Sequence, residues 1–307
     1  MSTIILPDTL PSENDLFEQI MLTNETVWQN ICKHDIEKWL QNFKGMVFSI
    51  NYERRLALWL LTNYVYYNQH EVRHLCKVMF KGYLHNTLEK QTIEGATLKE
   101  KIKTILENTR FYYLGKPSES GAFILFYFRQ ENNLLLKYFL PNTDRLPNNI
   151  TNIVYIDDVT ISGSQAQKYF ERDQSCAGRR NVLLTILATN DAIKRLHNIG
   201  LETLSCITLD DRSKCFSKVS NVFIDYMDNM DNCKTFALEY GKICLNNHPV
   251  KIDPLGYMSD AYTFGFFYNT PDNTLPIFWA DTSGWTPIMK RYEKFPKGGL
   301  FDDERFI

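Results

Sequence analysis

The chain has 307 residues, 44% of them apolar, a formal net charge of −2 and seven cysteines. That length supports one large core, or a core plus a helical lobe, without disulfide staples. The balanced charge gives no broad electrostatic reason to bind nucleic acid or an anionic membrane, and the scattered cysteines, with no CxxC pair, argue against a zinc cluster and fit a reducing cytosol.

The first residues, MSTIILPDTLPSEND, carry no basic region ahead of a long apolar run, and apolar runs such as AFILFYF fall well short of a membrane span. A soluble, cytoplasmic protein that does not engage a membrane is expected. From about Ser12 to Asn108 five segments read as helices: SENDLFEQIML, NETVWQNICKHDIEKWLQNF, NYERRLALWLLTNYVYY, HEVRHLCKVMFKGYLHNTLEK and TLKEKIKTILEN. Each starts near a Ser, Asn or Thr suited to capping and repeats apolar residues at spacings of three and four. Residues 1–108 are therefore expected to form an all-helical lobe.

Within the fourth helix, His70 to His74 fits the HExxH pattern, in which two histidines four apart grip zinc and Glu71 acts as general base. Asn68 and Glu71 equally suit a capping box. At 100° per residue Val72, Cys76, Met79 and Tyr83 define the apolar face, and His70 and His74 project roughly opposite it. The histidines are expected to face water, with a zinc hydrolase as the remote alternative.

From Arg110 the pattern changes to short β-rich runs, RFYYL, NIVYIDDV, NVLLTILA, LSCITL and AYTFGFFY, while SQAQKYFERD and NDAIKRLHNIG read as helices. Strand and helix alternate, which predicts an α/β fold with a mainly parallel sheet flanked by helices. Residues 109–252 are expected to form this core, and residues 253–307 a C-terminal strand and hood that complete it.

Two loops carry chemistry. After the first strand, Gly115, Lys116, Ser118, Ser120 and Gly121 make a small, polar, cationic loop ahead of an almost wholly apolar helix that is expected to be buried. Later, Asp157 and Asp158 follow an apolar strand. The turn after them offers Gly163 for positive φ, the hydroxyls of Ser162 and Ser164, and a row of amides through Gln165, which together suit a phosphate. Carboxylates beside such a cradle repel a phosphate unless they face sugar hydroxyls or a divalent cation. The plain alternative is that the two acids end a strand and solvate a turn.

The run IVYI-DD-VTI-SGSQ resembles the phosphoribosyl-diphosphate (PRPP) motif of type I phosphoribosyltransferases. That resemblance implies that Asp157 and Asp158 contact the ribose 2′- and 3′-hydroxyls and hold Mg²⁺ indirectly. It also implies that Ser162, Gly163, Ser164 and Gln165 hold the 5′-phosphate, and that Lys116, Ser118, Ser120 and Gly121 bind diphosphate. The run departs from hypoxanthine-type enzymes at Ile161, where those often place an Asp acting on the base.

The tail is similar to the C-terminal region of phosphoribosyltransferase-like proteins of bacterial conflict systems, including those accompanying retron reverse transcriptases. PLGY from Pro254, NTPDNTLPIFW from Asn269 and W-x-P-x-x-x-R from Trp285 to Arg291 carry the resemblance, and NYERRLALWLLTNYVYY is similar to that group's N-terminal lobe. It implies a toxic effector of anti-phage defence that acts at the ribose anomeric carbon of PRPP or a related nucleotide, with a reverse transcriptase and its DNA product as partners. The alternative is a catalytically silent sensing or interaction subunit. Trp279, Trp285 and Arg291 are expected to pack over the sheet's carboxyl edge as a hood for base and phosphate, against the alternative that both tryptophans anchor the tail in a core. The acceptor, the trigger, direct nucleic-acid contact and assembly into an oligomer stay open.

Overall fold

The structure, a computed structural model, describes residues 9–29, 31–90, 96–117, 119–139, 146–173, 177–246, 248 and 251–292. Two compact units divide the chain: Met1–Gln69 with Asp211–Ile307, and His70–Asp210. These boundaries differ from the expected ones at 108 and 252. The first unit draws on both ends of the chain, because its strands and its core pair early residues with late ones.

That unit begins with α1 (Glu13–Thr23), α2 (Lys33–Leu40), α3 (Ile50–Thr62) and β1 (Val65–Tyr67). Ser12 caps α1, its hydroxyl accepting the Asp15 N–H at 3.2 Å. The third predicted helix stops short of the sequence expectation. Asn63 Nδ2 donates to Trp59 O at 2.9 Å across the last turn, and the following Val-Tyr-Tyr is a strand. Aromatic and β-branched residues favour that state once a partner strand exists.

The fold of the second unit follows the alternation read from sequence. α4 (Gln69–Lys90) buries Val72, Cys76, Met79 and Tyr83, as predicted, and leaves His70 and His74 exposed. α5 (Leu98–Glu107) opens with a capping box in which the Thr97 N–H donates to Glu100 Oε2 at 2.8 Å. There follow β2 (Thr109–Tyr113), α6 (Ser120–Glu131), β3 (Asn152–Thr160), α7 (Ser164–Phe170), β4 (Arg180–Thr189), α8 (Asn190–Asn198) and β5 (Leu201–Leu209). The four strands form one all-parallel sheet in the order β2-β3-β4-β5, with register pairs Thr109↔Asn152, Asn152↔Arg180 and Asn181↔Leu201.

Alternation of side chains gives this sheet two apolar faces. On one, Tyr112, Ile153, Tyr155 and Leu183 pack with Ala166 of α7 and Leu196 of α8. On the other, Phe111 meets Tyr83 of α4 at 5.9 Å and Phe128 of α6 at 5.2 Å between ring centroids. α6 is not buried all round: Ile124, Tyr127 and Phe128 face inward, while Phe126 is 50% exposed.

The chain then returns to the first unit with α9 (Met227–Cys244), β6 (Phe264–Phe266) and α10 (Pro276–Trp279). β6 pairs in parallel with β1, Val65↔Phe264 through Tyr67↔Phe266, and not with the four-stranded sheet. The tail's aromatic residues are core side chains of this unit. Trp279 is 1% exposed and donates to Thr274 O at 2.8 Å; Trp285, also buried, donates to Ile277 O at 3.3 Å, as Trp39 does at 2.9 Å. Arg291 lies 5.0 Å from the centre of the Trp279 ring and donates to Thr270 O at 2.7 Å. The expectation of an open hood therefore gives way to the anchoring role: the indole faces are covered by their own unit's core.

A buried carboxylate organises the loop before α3. Glu53 accepts the N–H groups of Gly45, Val47 and Phe48 at 2.6, 2.7 and 3.0 Å, and the Tyr240 hydroxyl at 2.5 Å. Burial and the bond to Glu53 push the Tyr240 hydroxyl up to about 12. No helix among the described residues is long and apolar enough to cross a membrane.

Candidate functional site

β2 ends at Tyr113 opposite Ile156, and the Leu114 N–H closes that ladder by donating to Ile156 O at 2.9 Å. β3 continues to Thr160, paired on its far side with β4 up to Thr160↔Ala188. Asp157 and Asp158 thus occupy the stretch of β3 that β2 no longer flanks, at the carboxyl end of the strands, where open α/β sheets bind ligands. A strand that outruns its neighbour exposes backbone and side chains to whatever the departing loop encloses.

Each acid is only 6% exposed. Asp158 Oδ1 accepts the Ser120 hydroxyl at 2.9 Å and the Val159 N–H at 2.8 Å, while Asp157 Oδ1 accepts the Asp158 N–H at 3.0 Å. Burial, then the neighbouring Asp158 charge, hold the Asp157 carboxyl well above the usual carboxylate range, and the charge of Glu119 acts in the same sense.

The loop after β2 turns at Gly115, whose φ of 97° suits glycine. It folds back so that Glu119 Oε2 accepts the Lys116 N–H at 3.2 Å and the Gln165 side-chain amide at 3.3 Å. One carboxylate therefore ties the two loops that the sequence singled out. Lys116 is exposed, and Ser120 is half-buried with its hydroxyl on Asp158. Gly121 is buried for a packing reason: a Cβ there would collide with the Leu114 carbonyl oxygen and lie 3.0 Å from that of Ile156. Its absence lets the first turn of α6 rest against β2 and β3. Ser118 lies outside the described residues.

In the second loop Gly163 takes φ 71° ahead of α7, and the Ser164 N–H donates to the Ser162 hydroxyl at 3.3 Å. Gln165 is exposed. From α8, Arg195 Nη1 donates to Ser164 Oγ at 2.7 Å. The structure thus gathers Asp157, Asp158, Lys116, Ser120, Gly121 and the Ser162–Gln165 turn around one strand end. It adds Glu119, which lies within the first loop but meets the second only through the fold, and Arg195, which approaches from α8. Trp279, Trp285 and Arg291 belong to the other unit.

Among the described residues no group of three or more His, Cys, Asp or Glu side chains could hold a metal ion. Two adjacent carboxylates nevertheless match the donor type of Mg²⁺, which keeps several waters and commonly takes its remaining oxygens from a phosphate ligand. An open cleft of about 900 Å³ also lies in the first unit, lined by Phe17, Met21, Lys33, Glu37, Leu40 and Arg54. The strand-end group is the stronger candidate, because acids, hydroxyls and a guanidinium from two loops and α8 lie at the carboxyl end of the strands.

The PRTase-CE family model matches residues 36–291, a span that contains both loops and both acids. No curated protein matches the chain. Among solved structures it is similar to an orotate phosphoribosyltransferase from Aeropyrum pernix, at 14% identity and a TM-score of 0.26, over 36% of this chain and 65% of that one. The chain therefore spans less than two thirds of that enzyme's length.

Proposed function

The chain belongs to the PRTase-CE family of type I phosphoribosyltransferase-like proteins, and from that premise we propose that it binds PRPP or a related phosphoribosyl nucleotide with Mg²⁺ and transfers or cleaves at the ribose anomeric carbon. The observation that carries this reading is the buried pair Asp157 and Asp158 on the unflanked end of β3, between two loops joined through Glu119.

Cleavage at the anomeric carbon builds oxocarbenium-like charge on the sugar and negative charge on the leaving group. Asp157 and Asp158 orient the ribose through its hydroxyls and support the positive charge, while burial and the Asp158 charge hold the Asp157 carboxyl above the usual range. Lys116 and the loop amides face the leaving diphosphate, and Mg²⁺ when bound adds charge neutralisation there. Ser162, Gly163, Ser164 and Gln165 hold the 5′-phosphate.

A second reading, a silent PRPP- or nucleotide-sensing subunit, draws on the burial of both acids and on Ile161, which offers a nucleobase no proton. In either case the tail's resemblance to conflict-system proteins supports a setting in bacterial anti-phage defence, as a toxic effector in the cytoplasm controlled by a reverse transcriptase and its DNA product.

Isothermal titration with PRPP and Mg²⁺, beside an assay for released diphosphate, tests this on the wild type and on Asp157→Asn/Asp158→Asn. The wild type is expected to bind and turn over, and the variant to do neither while melting cooperatively. A wild type that fails to bind removes the proposal; binding without turnover selects the sensing reading.

A further inference from the structure

Arg195 is fixed against the phosphate turn by more than its own reach. The Thr189 hydroxyl donates to Ile161 O at 2.6 Å and accepts the Ala192 N–H at 3.0 Å, so the first turn of α8 is tied to the residue that opens the phosphate turn. From that anchored helix Arg195 lies along Gly163: a Cβ on the glycine would meet Arg195 Cδ at 3.4 Å. Its Nη1 reaches Ser164 Oγ at 2.7 Å.

That bond leaves most of the guanidinium uncommitted. Arg195 is exposed and forms no ion pair with a carboxylate among the described residues. A guanidinium carries five N–H donors in a planar fork suited to two oxygens of a phosphate. The charge around the site makes such a group necessary. The carboxylates of Glu119 and Asp158 lie at the strand end, and a dianion placed beside them needs a cation on its own side.

We propose that Arg195 binds the ligand's 5′-phosphate directly, supplying from α8 the cation that the turn itself lacks. The inference rests on the phosphoribosyl reading above and adds a phosphate-binding residue to it. Ser164 then serves as the hinge that holds the guanidinium over the turn until phosphate arrives.

The test is titration of ribose 5-phosphate and, separately, of pyrophosphate with Mg²⁺ into the wild type, Arg195→Ala, Arg195→Met and Ser164→Ala. Arg195→Met keeps an apolar arm beside Gly163 and Leu196, so it isolates the charge if the alanine variant folds poorly. Charge-assisted bonds of this kind give an expected loss of about ten- to a hundredfold in ribose 5-phosphate affinity for both Arg195 variants. Pyrophosphate affinity is expected to hold, and Ser164→Ala to lose less. If the Arg195 variants lose no more than Ser164→Ala, Arg195 only orients a hydroxyl and the inference falls while the phosphoribosyl reading stands. A wild type that binds neither probe overturns both.

Discussion

Asp157 keeps its proton in the folded chain at a pH where the unfolded chain has released it, because burial and the Asp158 charge raise its pKa from 3.8. Unfolding then releases a proton, so this residue's contribution to stability is complete below the ordinary carboxylate value and declines as pH rises toward the raised one. Asp157→Asn is expected to increase Tm by about 2–6 °C at pH 8 and by almost nothing near pH 4, read by thermal melts across that range. A difference that stays constant with pH would mean that Asp157 is ionised in the fold. Gly121 answers to sterics instead: Gly121→Ala is expected to cost about 1–3 kcal/mol by urea unfolding, since the added carbon meets backbone rather than a side chain that could swing away. Asp157, Asp158 and the Ser-Gly turn are legible in the sequence because strand, acids and turn are contiguous in the chain. Glu119 and Arg195 are not, since one lies in the other loop, just ahead of α6, and the other in α8, and only folding sets them beside the turn.

At the scale of elements, periodicity identifies α4 and its buried face down to Val72, Cys76, Met79 and Tyr83, and so removes the histidine motif from contention as a buried site. It is less informative where composition overwhelms pattern. α6 is apolar on nearly every side, so its sequence does not say which face is covered, and Phe126 proves to be on the outside. β1 hides at the end of a good helical pattern because the strand that selects it, β6, is encoded far downstream. Glu53 shows the same limit for loops: nothing local announces that three amides and a phenol will converge on it. Glu53→Ala leaves those donors unpaired and is expected to cost about 3–5 kcal/mol in urea unfolding, whereas Glu53→Gln, which keeps an acceptor, is expected to cost clearly less. Thr97→Ala, which removes the α5 cap, is expected to cost about 1 kcal/mol.

For the whole molecule, the parallel α/β sheet is readable from strand and helix alternation, but the linear division into lobe, core and hood is not what the chain does. Sequence order suggests that a C-terminal strand joins the preceding sheet; β6 joins β1 instead, and Trp279 and Trp285 fill the core between early and late helices. Trp279→Ala is accordingly expected to destabilise the first unit by about 3–5 kcal/mol in chemical denaturation. A variant that melts like the wild type would return the indole to the surface and reopen a ligand-facing role for it.

The return of the chain to its first unit has a consequence for synthesis. Trp39 emerges early and bonds to a carbonyl 238 residues further on, at Ile277. At about 5–20 residues per second a translating ribosome needs roughly 12–48 s to deliver that partner. Throughout this interval the apolar faces of α1, α2 and α3 are on a nascent chain without their completed core, while the contiguous segment His70–Asp210 is already out and free to close on itself. The early helices are therefore the natural customers of a holdase, and slowing initiation so that fewer such chains coexist is the direct route to soluble product.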